Sequence, residues 1–423
     1  MIRRPPRSTH CISSAASDVY KRQLKNNKGT EDNRVRRMDY SIQMSKLFYE
    51  RFINEEDITL FSPHAVPGLY DAFGTDKFDA LYKKYEKDKS IPKKTIAAQE
   101  LFADLLKERA ETGRIYIMNI DHSNSHSSFK DKVSMSNLCQ EITLPTTPIK
   151  GIDDPDGEIA LCILSAINVG AIGNLNELET LCDLSVRALD EIIELQDYPV
   201  KAAEVSTKSR RSLGIGYIGL AHYLAKNGVK YSDPKAWELV DRLSEAFQYY
   251  LLRASCDIAE EKGKCSAFDR TKYADGLLPI DHYKKEVDEI VVHKQRMAWE
   301  TLRKDILKYG LRHSTLSAQM PSESSSVVSN ETNGIEPPRA LLSIKKSKKG
   351  PLKQIVPGYP NLKNAYTLLW DMGSNEGYIK IVSVMQKYFD QAISGNWSYN
   401  PLQFENNEVP LSVMAQDLSL IHI

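Results

Sequence analysis

The chain has 423 residues, 41% hydrophobic and 26% charged, a composition typical of a soluble globular protein with one large or two to three ordinary domains. Its 56 basic and 56 acidic residues balance, so the charge gives no support to a nucleic-acid or membrane-surface partner. The sequence lacks a run of about 18 apolar residues, which excludes a membrane-spanning helix. The six cysteines include no CxxC pair, which excludes a disulfide scaffold and indicates a reducing compartment, the cytoplasm.

The two ends of the sequence differ from the rest. Residues 1–23 are rich in Ser, Arg and Pro, and they lack the apolar stretch of a secretory signal. A transit peptide is one interpretation, but we favour non-native sequence that resembles translated adaptor DNA. The tail, residues 419–423, has the same character. We therefore expect residues 24–418 to be the native part, a fragment of a longer protein.

In chain order, the first elements alternate between helix and strand. Apolar spacing predicts a helix over residues 35–53, and a short strand follows at 57–61, before Ser-Pro. A second helix is predicted from 92 to 109, with Gly113 at its C-terminal end. The alternating residues 114–120 predict a strand that opens into a polar loop at 121–126.

The remaining elements continue this alternation. We predict a strand at 137–144, a strand buried on both faces at 158–171, and an amphipathic helix at 175–193. Further apolar runs, helices, a strand and a hairpin are predicted at 212–225, 237–261, 314–320, 345–356, 362–370 and 377–393. Strands that alternate with helices predict an α/β fold with parallel strands. Whether residues 340–400 form a small subdomain stays open.

The stretch from Ser136 to Glu141 holds the first candidate site. In an extended segment, side chains two residues apart share a face, so Asn137, Cys139 and Glu141 would project together. A buried carboxylate and amide need a polar ligand or a hydrogen-bond network, because burial without a partner is costly. The alternative is that Cys139 is an ordinary strand cysteine.

A second candidate is the serine-rich stretch from Met320 to Ser326. Pro at the first helical position and Ser at the N-cap or in the first turn are helix-start signals, and the free N–H groups of such a turn bind phosphate well. The alternative is an ordinary capped helix, in which Glu323 only complements the helix dipole.

A glycine pattern and a polar loop are weaker candidates. Residues 214–219 match G-x-G-x-x-G, but polar residues precede them and no acidic residue follows at the spacing of a dinucleotide site. We favour tight strand–helix packing. The loop residues Asp121, His122 and His126 are not accompanied by another ligand at the spacing of a metal site. We therefore favour solvated side chains over a metal site.

Three other cysteines carry little functional signal. Cys182 and Cys256 lie within predicted helices, and we expect both to be small core residues. Cys265 follows a helix end at Gly263, and the sequence assigns it no role.

Five segments together resemble one family: SNLCQEITLPT, ALCILSAINVGA, SLGIGYIGLAHYLA, STLSAQMPSESSS and NGIEPPR. They look like the large (α, catalytic) subunit of class I ribonucleoside-diphosphate reductase of bacterial type, in the family's order, over residues 24–418. Ser324 stands where bacterial relatives often have Thr, and the hydroxyl is kept. The resemblance implies a ten-stranded α/β barrel of two half-barrels, only partly present here. It also implies a finger loop with Cys139 at its tip, buried away from water.

The resemblance implies a role for each residue of the first site. Cys139 would form the thiyl radical that abstracts the ribose 3′ hydrogen, and Glu141 would take the 3′-hydroxyl proton as general base. Asn137 would hold the hydroxyls, with Leu138 also against the substrate. Cys162 would be one of the two cysteines that supply electrons, and its partner would lie on an earlier strand absent from this chain.

By the same resemblance, the serine-rich turn would hold the substrate diphosphate and place the ribose over the thiol. The residues implied in this role are Pro321, Ser322, Glu323, Ser324 and Ser325.

The resemblance also implies partners. A small (β) subunit with a di-metal centre and a tyrosyl radical would supply the radical, so we expect no cofactor or metal on this chain. ATP and deoxynucleotide effectors, the radical-relay tyrosines and the shuttle cysteines served by thioredoxin or glutaredoxin would belong to regions outside it. The large subunit would form a homodimer and act on nucleoside diphosphates. Two alternatives remain: a cobalamin-dependent reductase of the same superfamily, and a non-catalytic paralogue that binds nucleotides or partner subunits.

Overall fold

A computed structural model describes residues 39–112, 115–292, 294–347 and 350–422. The chain forms two compact units: the first includes the described residues up to Ser125, and the second begins at His126 and continues to Ile421. Within the described ranges, no helix is both long enough and apolar enough to cross a membrane.

The strands pair two by two. Their bounds are β1 Tyr40–Met44, β2 Asp57–Phe61, β3 Lys93–Ala97, β4 Ile115–Asn119, β5 Ile163–Asn168, β6 Leu213–Ile218, β7 Leu342–Ser347 and β8 Gly350–Ile355. The β1–β4 and β5–β6 pairs are parallel, while β2–β3 and β7–β8 are antiparallel. In the described part of the chain these strands make four two-stranded sheets and no closed sheet.

The α-helices lie between the strands and after the last of them. Their bounds are α1 Lys46–Ile53, α2 Leu69–Ala72, α3 Phe78–Lys87, α4 Ala98–Thr112, α5 Ile120–His126, α6 Glu177–Leu195, α7 Lys201–Arg210, α8 Leu220–Lys226, α9 Pro234–Lys262, α10 Pro279–His282, α11 Trp299–Tyr309, α12 Glu323–Val328, α13 Tyr359–Leu362, α14 Glu376–Gln386 and α15 Leu411–His422.

The core of the second unit forms around β5 and β6 and the long helices α6 and α9. Every residue of β6 is buried, as expected for a strand covered on both faces. Helix α6 buries side chains spaced three and four residues apart, which places them on one stripe of the helix. They are Leu178, Cys182, Val186, Leu189 and Ile193. Helix α9 begins with Pro234 at a first-turn position and ends at Gly263, whose φ of 88° suits a residue without a side chain.

Strand β6 has a second parallel neighbour beyond β5. Isolated bridges pair Ile215 with Ser317 and Gln319 with Ile393, both in parallel. β5, β6, the segment 315–319 and the segment 391–393 therefore lie side by side in that order. The predicted strand at 314–320 takes this form of single bridges, and the predicted helix at 377–393 stops at Gln386, where α14 ends.

In the first unit, two predicted helices are correct only in their C-terminal parts, at 46–53 and from 98 onward, and one predicted loop is wrong. The described residues of the predicted helix at 35–53 form β1 before α1, and residues 35–38 lie outside the described ranges. The predicted helix at 92–109 begins with β3, and Gly113 also lies outside those ranges. The predicted polar loop at 121–126 belongs to α5. In the first two cases pairing overrides helical spacing, since β1 pairs with β4 and β3 with β2.

Several predictions are confirmed. The structure contains the strand predicted at 57–61 and a helix within two residues of the bounds predicted at 175–193. The hairpin predicted within 345–356 is also present, and it starts earlier, at Leu342. The parallel pairs agree with the α/β class.

Candidate functional site

The stretch around Cys139 is a tight turn, so the predicted strand at 137–144 is wrong. The Asn137 N–H donates to the Ile142 carbonyl at 3.2 Å, and the Gln140 N–H donates to the Asn137 carbonyl at 3.2 Å. Gln140 has a φ of 73°, a left-handed conformation that an extended strand does not contain. The backbone bonds are therefore made within the turn, which carries Cys139 near its tip.

The turn brings together two of the predicted side chains. Asn137 Nδ2 donates to Glu141 Oε1 at 2.8 Å, and Asn137 Oδ1 accepts from the Ile142 N–H at 3.1 Å. The Asn137 amide is therefore held at both of its ends. This contact, rather than the alternation of a strand, places the amide beside the carboxylate.

Glu141 is 3% exposed, and its Oε2 has no hydrogen-bond partner in the described part of the chain. Burial raises the pKa of Glu141 above its ordinary value, against the opposing effects of hydrogen bonds from its own backbone and from Asn137. A buried carboxylate oxygen without a partner is costly, so it favours a ligand that donates a hydrogen bond there.

Cys139 is half-buried rather than shielded from water as expected, because it lies near the tip of the turn beside Leu138, which is 54% exposed. Burial, and then the negative charge of Glu141, raise the pKa of the Cys139 thiol. The thiol is thus kept protonated, with a carboxylate nearby.

Cys162 is also half-buried, directly before β5. Its sulfur lies 3.9 Å from Gln391 Nε2, and a Cβ added at Gly214 of β6 would lie 3.0 Å from it. Burial raises the pKa of Cys162, a hydrogen bond from Gln391 lowers it, and the charges of Asp390 and Glu141 raise it. The field of Glu141 therefore acts on both cysteines.

The serine-rich turn differs from its prediction in one respect. Helix α12 begins at Glu323, so Pro321 precedes the N-cap residue instead of occupying the first helical position. Ser322 has a φ of 53°, and its hydroxyl donates to the Met320 carbonyl at 3.3 Å rather than capping the helix. Ser324 and Ser325 are exposed, so their hydroxyl groups are accessible to a ligand.

A single residue, Ala392, connects the two turns. Its N–H donates to the Glu141 carbonyl at 3.1 Å, and its carbonyl accepts from the Gln319 N–H at 3.2 Å. Gln319 is two residues before Pro321. The thiol turn and the serine-rich turn are therefore attached to the same extended segment from opposite sides.

An ion cluster with a buried pair at its centre, Arg210 and Glu158, connects the segments on either side of the thiol turn. Arg210 is 1% exposed and binds both oxygens of Glu158 at 2.9 Å, while its Nη2 lies 3.0 Å from Asp131. Arg270 contacts the same two carboxylates at 2.8 and 3.3 Å. Asp131 precedes the turn and Glu158 follows it, so the cluster fixes both ends of the segment that carries Cys139. We name these four residues the stem cluster.

The sequence analysis missed the stem cluster, Gln391 and Ala392. The adjacent arginines 210 and 211, directly before a predicted apolar run, gave a signal, because arginines that become buried need acidic partners. Gln391 and Ala392 gave none, since their predicted place was inside a helix.

The weaker candidates occupy ordinary surroundings, but the prediction of solvated side chains is wrong for His126, which is half-buried with its Nε2 2.8 Å from the Phe389 carbonyl oxygen. A Cβ at Gly216 would lie 2.6 Å from the Ala318 carbonyl oxygen, so close packing against the neighbouring segment accounts for this glycine. Cys182 and Cys256 are buried in the core, as predicted, and Cys265 is buried as well. Across the described ranges, no three His, Cys, Asp or Glu side chains are grouped to hold a metal ion.

Comparison with known proteins identifies the family. A family model for the barrel domain of ribonucleotide reductase matches residues 17–420. The ribonucleoside-diphosphate reductase subunit alpha of Haemophilus influenzae is 58% identical over 93% of this chain and 53% of its own length. The corresponding subunits of Escherichia coli and phage T4 are 55% and 43% identical over the same shares of the two chains. The chain thus spans about half the length of these curated relatives. The chain belongs to the ribonucleotide reductase barrel-domain family.

Proposed function

We propose that this chain is the catalytic part of a ribonucleoside-diphosphate reductase alpha subunit, which converts ribonucleoside diphosphates into 2′-deoxyribonucleoside diphosphates. The observation that carries the proposal is the environment of Glu141. This buried carboxylate is held by Asn137, leaves Oε2 without a described partner, and influences both Cys139 and Cys162. Its backbone is connected through Ala392 to the segment leading into the serine-rich turn.

The residues divide the chemistry among them. A sulfur radical at Cys139 abstracts the 3′ hydrogen, because S–H and C–H bonds are of comparable strength. Glu141 Oε2 accepts the 3′-hydroxyl proton, and Asn137 and Leu138 hold the sugar. In the net reaction the 2′-hydroxyl is replaced by hydrogen, water is released, and the thiols of Cys162 and a second cysteine become a disulfide.

The serine-rich turn anchors the diphosphate. The hydroxyls of Ser322, Ser324 and Ser325 and the backbone N–H groups of the turn from Pro321 to Ser325 suit a phosphate, although Glu323 must point its carboxylate away from it. Anchoring the phosphates leaves the ribose at the thiol turn, which lowers the entropic cost of bringing the 3′ carbon to Cys139.

We infer the wider assembly from the same family. The row formed by β5, β6 and the segments 315–319 and 391–393 suits one side of a ten-stranded barrel of two half-barrels, with the thiol turn as its finger loop. A small subunit with a di-metal tyrosyl radical supplies the radical. Thioredoxin or glutaredoxin restores the thiols in the cytoplasm, and the alpha subunits pair as a homodimer.

The test is CDP reduction by the complete alpha subunit with its small subunit. Cys139→Ser should abolish product, since a hydroxyl does not replace the thiol as a hydrogen-abstracting radical. Cys182→Ala removes a buried core thiol that has no role in the proposed chemistry and should retain activity, and circular dichroism melts should show both variants folded. Deoxycytidine diphosphate formed by folded Cys139→Ser would refute the assignment.

A further inference from the structure

The segment after α14 contacts Cys162 with a side chain that the proposed chemistry does not use. Gln391 donates its backbone N–H to the Ser317 carbonyl at 3.1 Å. Its side-chain Nε2 lies 2.8 Å from the Leu213 carbonyl oxygen and 3.9 Å from the Cys162 sulfur. The residue is 3% exposed. The amide is therefore enclosed between β6 and the thiol.

The orientation of this amide follows from its partners. A carbonyl oxygen only accepts hydrogen bonds, so the group that faces Leu213 must be the NH₂ of Gln391. The same NH₂ has a second N–H, and the Cys162 sulfur lies within reach of it. Oε1 of Gln391 is buried without a hydrogen-bond partner in the described residues. The unpartnered oxygen costs free energy, so the amide is held in this orientation by the two contacts of its NH₂ group, to the Leu213 carbonyl and to the sulfur.

The other groups around Cys162 work against its ionisation. Burial disfavours the thiolate, and the carboxylates of Asp390 and Glu141 disfavour it by like-charge repulsion. From β6, Gly214 presents no side chain to the sulfur. The amide of Gln391 acts in the opposite direction, because an N–H donor stabilises a negatively charged sulfur.

We propose that Gln391 is a positioning residue for Cys162, which holds the sulfur against β6 and stabilises its thiolate form. The thiolate is the species that attacks a disulfide or leaves when one is reduced, so the amide assists reopening of the disulfide formed in each turnover. That use of the thiolate rests on the proposed function. The effect of Gln391 on the thiol does not.

The experiment measures alkylation of Cys162 in the reduced 423-residue protein by mass spectrometry of its peptide. Gln391→Met keeps the volume and removes the donor, and we expect the rate with iodoacetamide at pH 8 to fall about three- to tenfold. Because only the thiolate fraction changes, N-ethylmaleimide, a bulkier reagent, should slow by the same factor. Cys139 in the same sample should react at its wild-type rate.

A matched control separates the amide's effect on sulfur from its effect on the segment. Gln386 Nε2 donates to the carbonyls of Phe389 and Gln391 without contacting Cys162. Gln386→Met should therefore leave the Cys162 rate unchanged. Gln391→Glu, in which an acid replaces the donor, should slow alkylation at least as much as Gln391→Met and serves if the latter fails to fold.

Two outcomes would overturn the inference. One is a wild-type rate in folded Gln391→Met and Gln391→Glu. The other is a loss that is much larger for N-ethylmaleimide than for iodoacetamide, which would show a change in access instead of ionisation. Neither readout requires turnover, so a failure of the reductase assignment in the CDP assay is distinguishable from a failure here.

Discussion

Glu141 combines burial with an oxygen that lacks a described partner, and this combination sets its chemistry. Burial raises its pKa, so the carboxylate form that can accept a proton is populated at a higher pH than for an ordinary glutamate. Asn137 binds the other oxygen at 2.8 Å and fixes the direction in which the free lone pairs point. A general base needs both properties.

The role of Glu141 predicts the pH dependence of CDP reduction. Activity should fall on the acidic side as Glu141 becomes protonated, at a pH above its ordinary value of 4.5 because its pKa is raised. Glu141→Gln should lower kcat by about 10²- to 10⁴-fold and remove this acidic limb. Rates of CDP reduction measured from pH 4.5 to 8 show whether the acidic limb is present. Glu323→Gln, which changes an exposed carboxylate of α12, should keep the limb, and a limb that persists in Glu141→Gln would contradict the role.

At the scale of elements, the stem cluster fixes the segment that carries the thiol turn. Hydrogen bonds from Arg210 and Thr147 lower the pKa of Glu158, although burial opposes them. Breaking such a buried pair leaves an uncompensated charge, whereas an exposed pair is screened by water.

Arg210→Met should therefore reduce the free energy of unfolding by about 3 kcal/mol, since Glu158 and Asp131 lose a buried partner. Arg187, which is 37% exposed and pairs with Asp183 and Glu261, gives the matched control. Arg187→Met should cost less than about 1 kcal/mol. Urea unfolding followed by circular dichroism measures both, and equal losses would show that the stem cluster is no stronger than a surface pair.

Elements with a strong local pattern could be predicted from the sequence, and those that depend on distant partners could not. Helix α6 shows its buried stripe within its own residues, and β2 ends at Ser-Pro. By contrast, β1 and β3 are strands because β4 and β2 pair with them, and helical spacing within each segment conceals this.

The residues of the candidate site also divide into those that are close in sequence and those that depend on distant partners. Asn137 and Glu141 were predicted to share a face of a strand; they contact each other instead across a turn, because they are close in sequence. The turn that joins them, with Gln140 at positive φ, has no signature in the sequence. Gln391 contacts Cys162 across 229 positions of the chain, and no local pattern reports that distance. The catalytic roles themselves stay predictions.

For the second unit as a whole, one buried and two half-buried histidines set the response to acid. Burial lowers the pKa of His126 to about 4, of His282 to about 3 and of His313 to about 4, compared with an ordinary value of 6.5. As the pH falls below 6.5, these histidines therefore become protonated in the unfolded chain while they stay neutral in the folded unit. Stability should be lost progressively from there to pH 4.

His313, which is 0% exposed, provides the test. Its ring lies 3.0 Å from Ser255 Oγ and 3.1 Å from Asp190 Oδ1, contacts that Gln can partly replace. In the wild type its contribution to the slope of unfolding free energy against pH should approach about 1.4 kcal/mol per pH unit between 6.5 and 4. His313→Gln should reduce that slope when urea unfolding is compared at pH 7, 6, 5 and 4.5. An unchanged slope would show that His313 takes up its proton while folded.

The shared attachment of both turns to Ala392 has a consequence for selectivity. Because Ala392 donates its N–H to the Glu141 carbonyl and accepts at its own carbonyl from the Gln319 N–H, a shift of either turn acts on the residue that holds the other. The distance between the Cys139 sulfur and the serine-rich turn is then fixed. A molecule whose sugar and phosphate groups are closer together or further apart than the two turns would bind at one turn and not at the other.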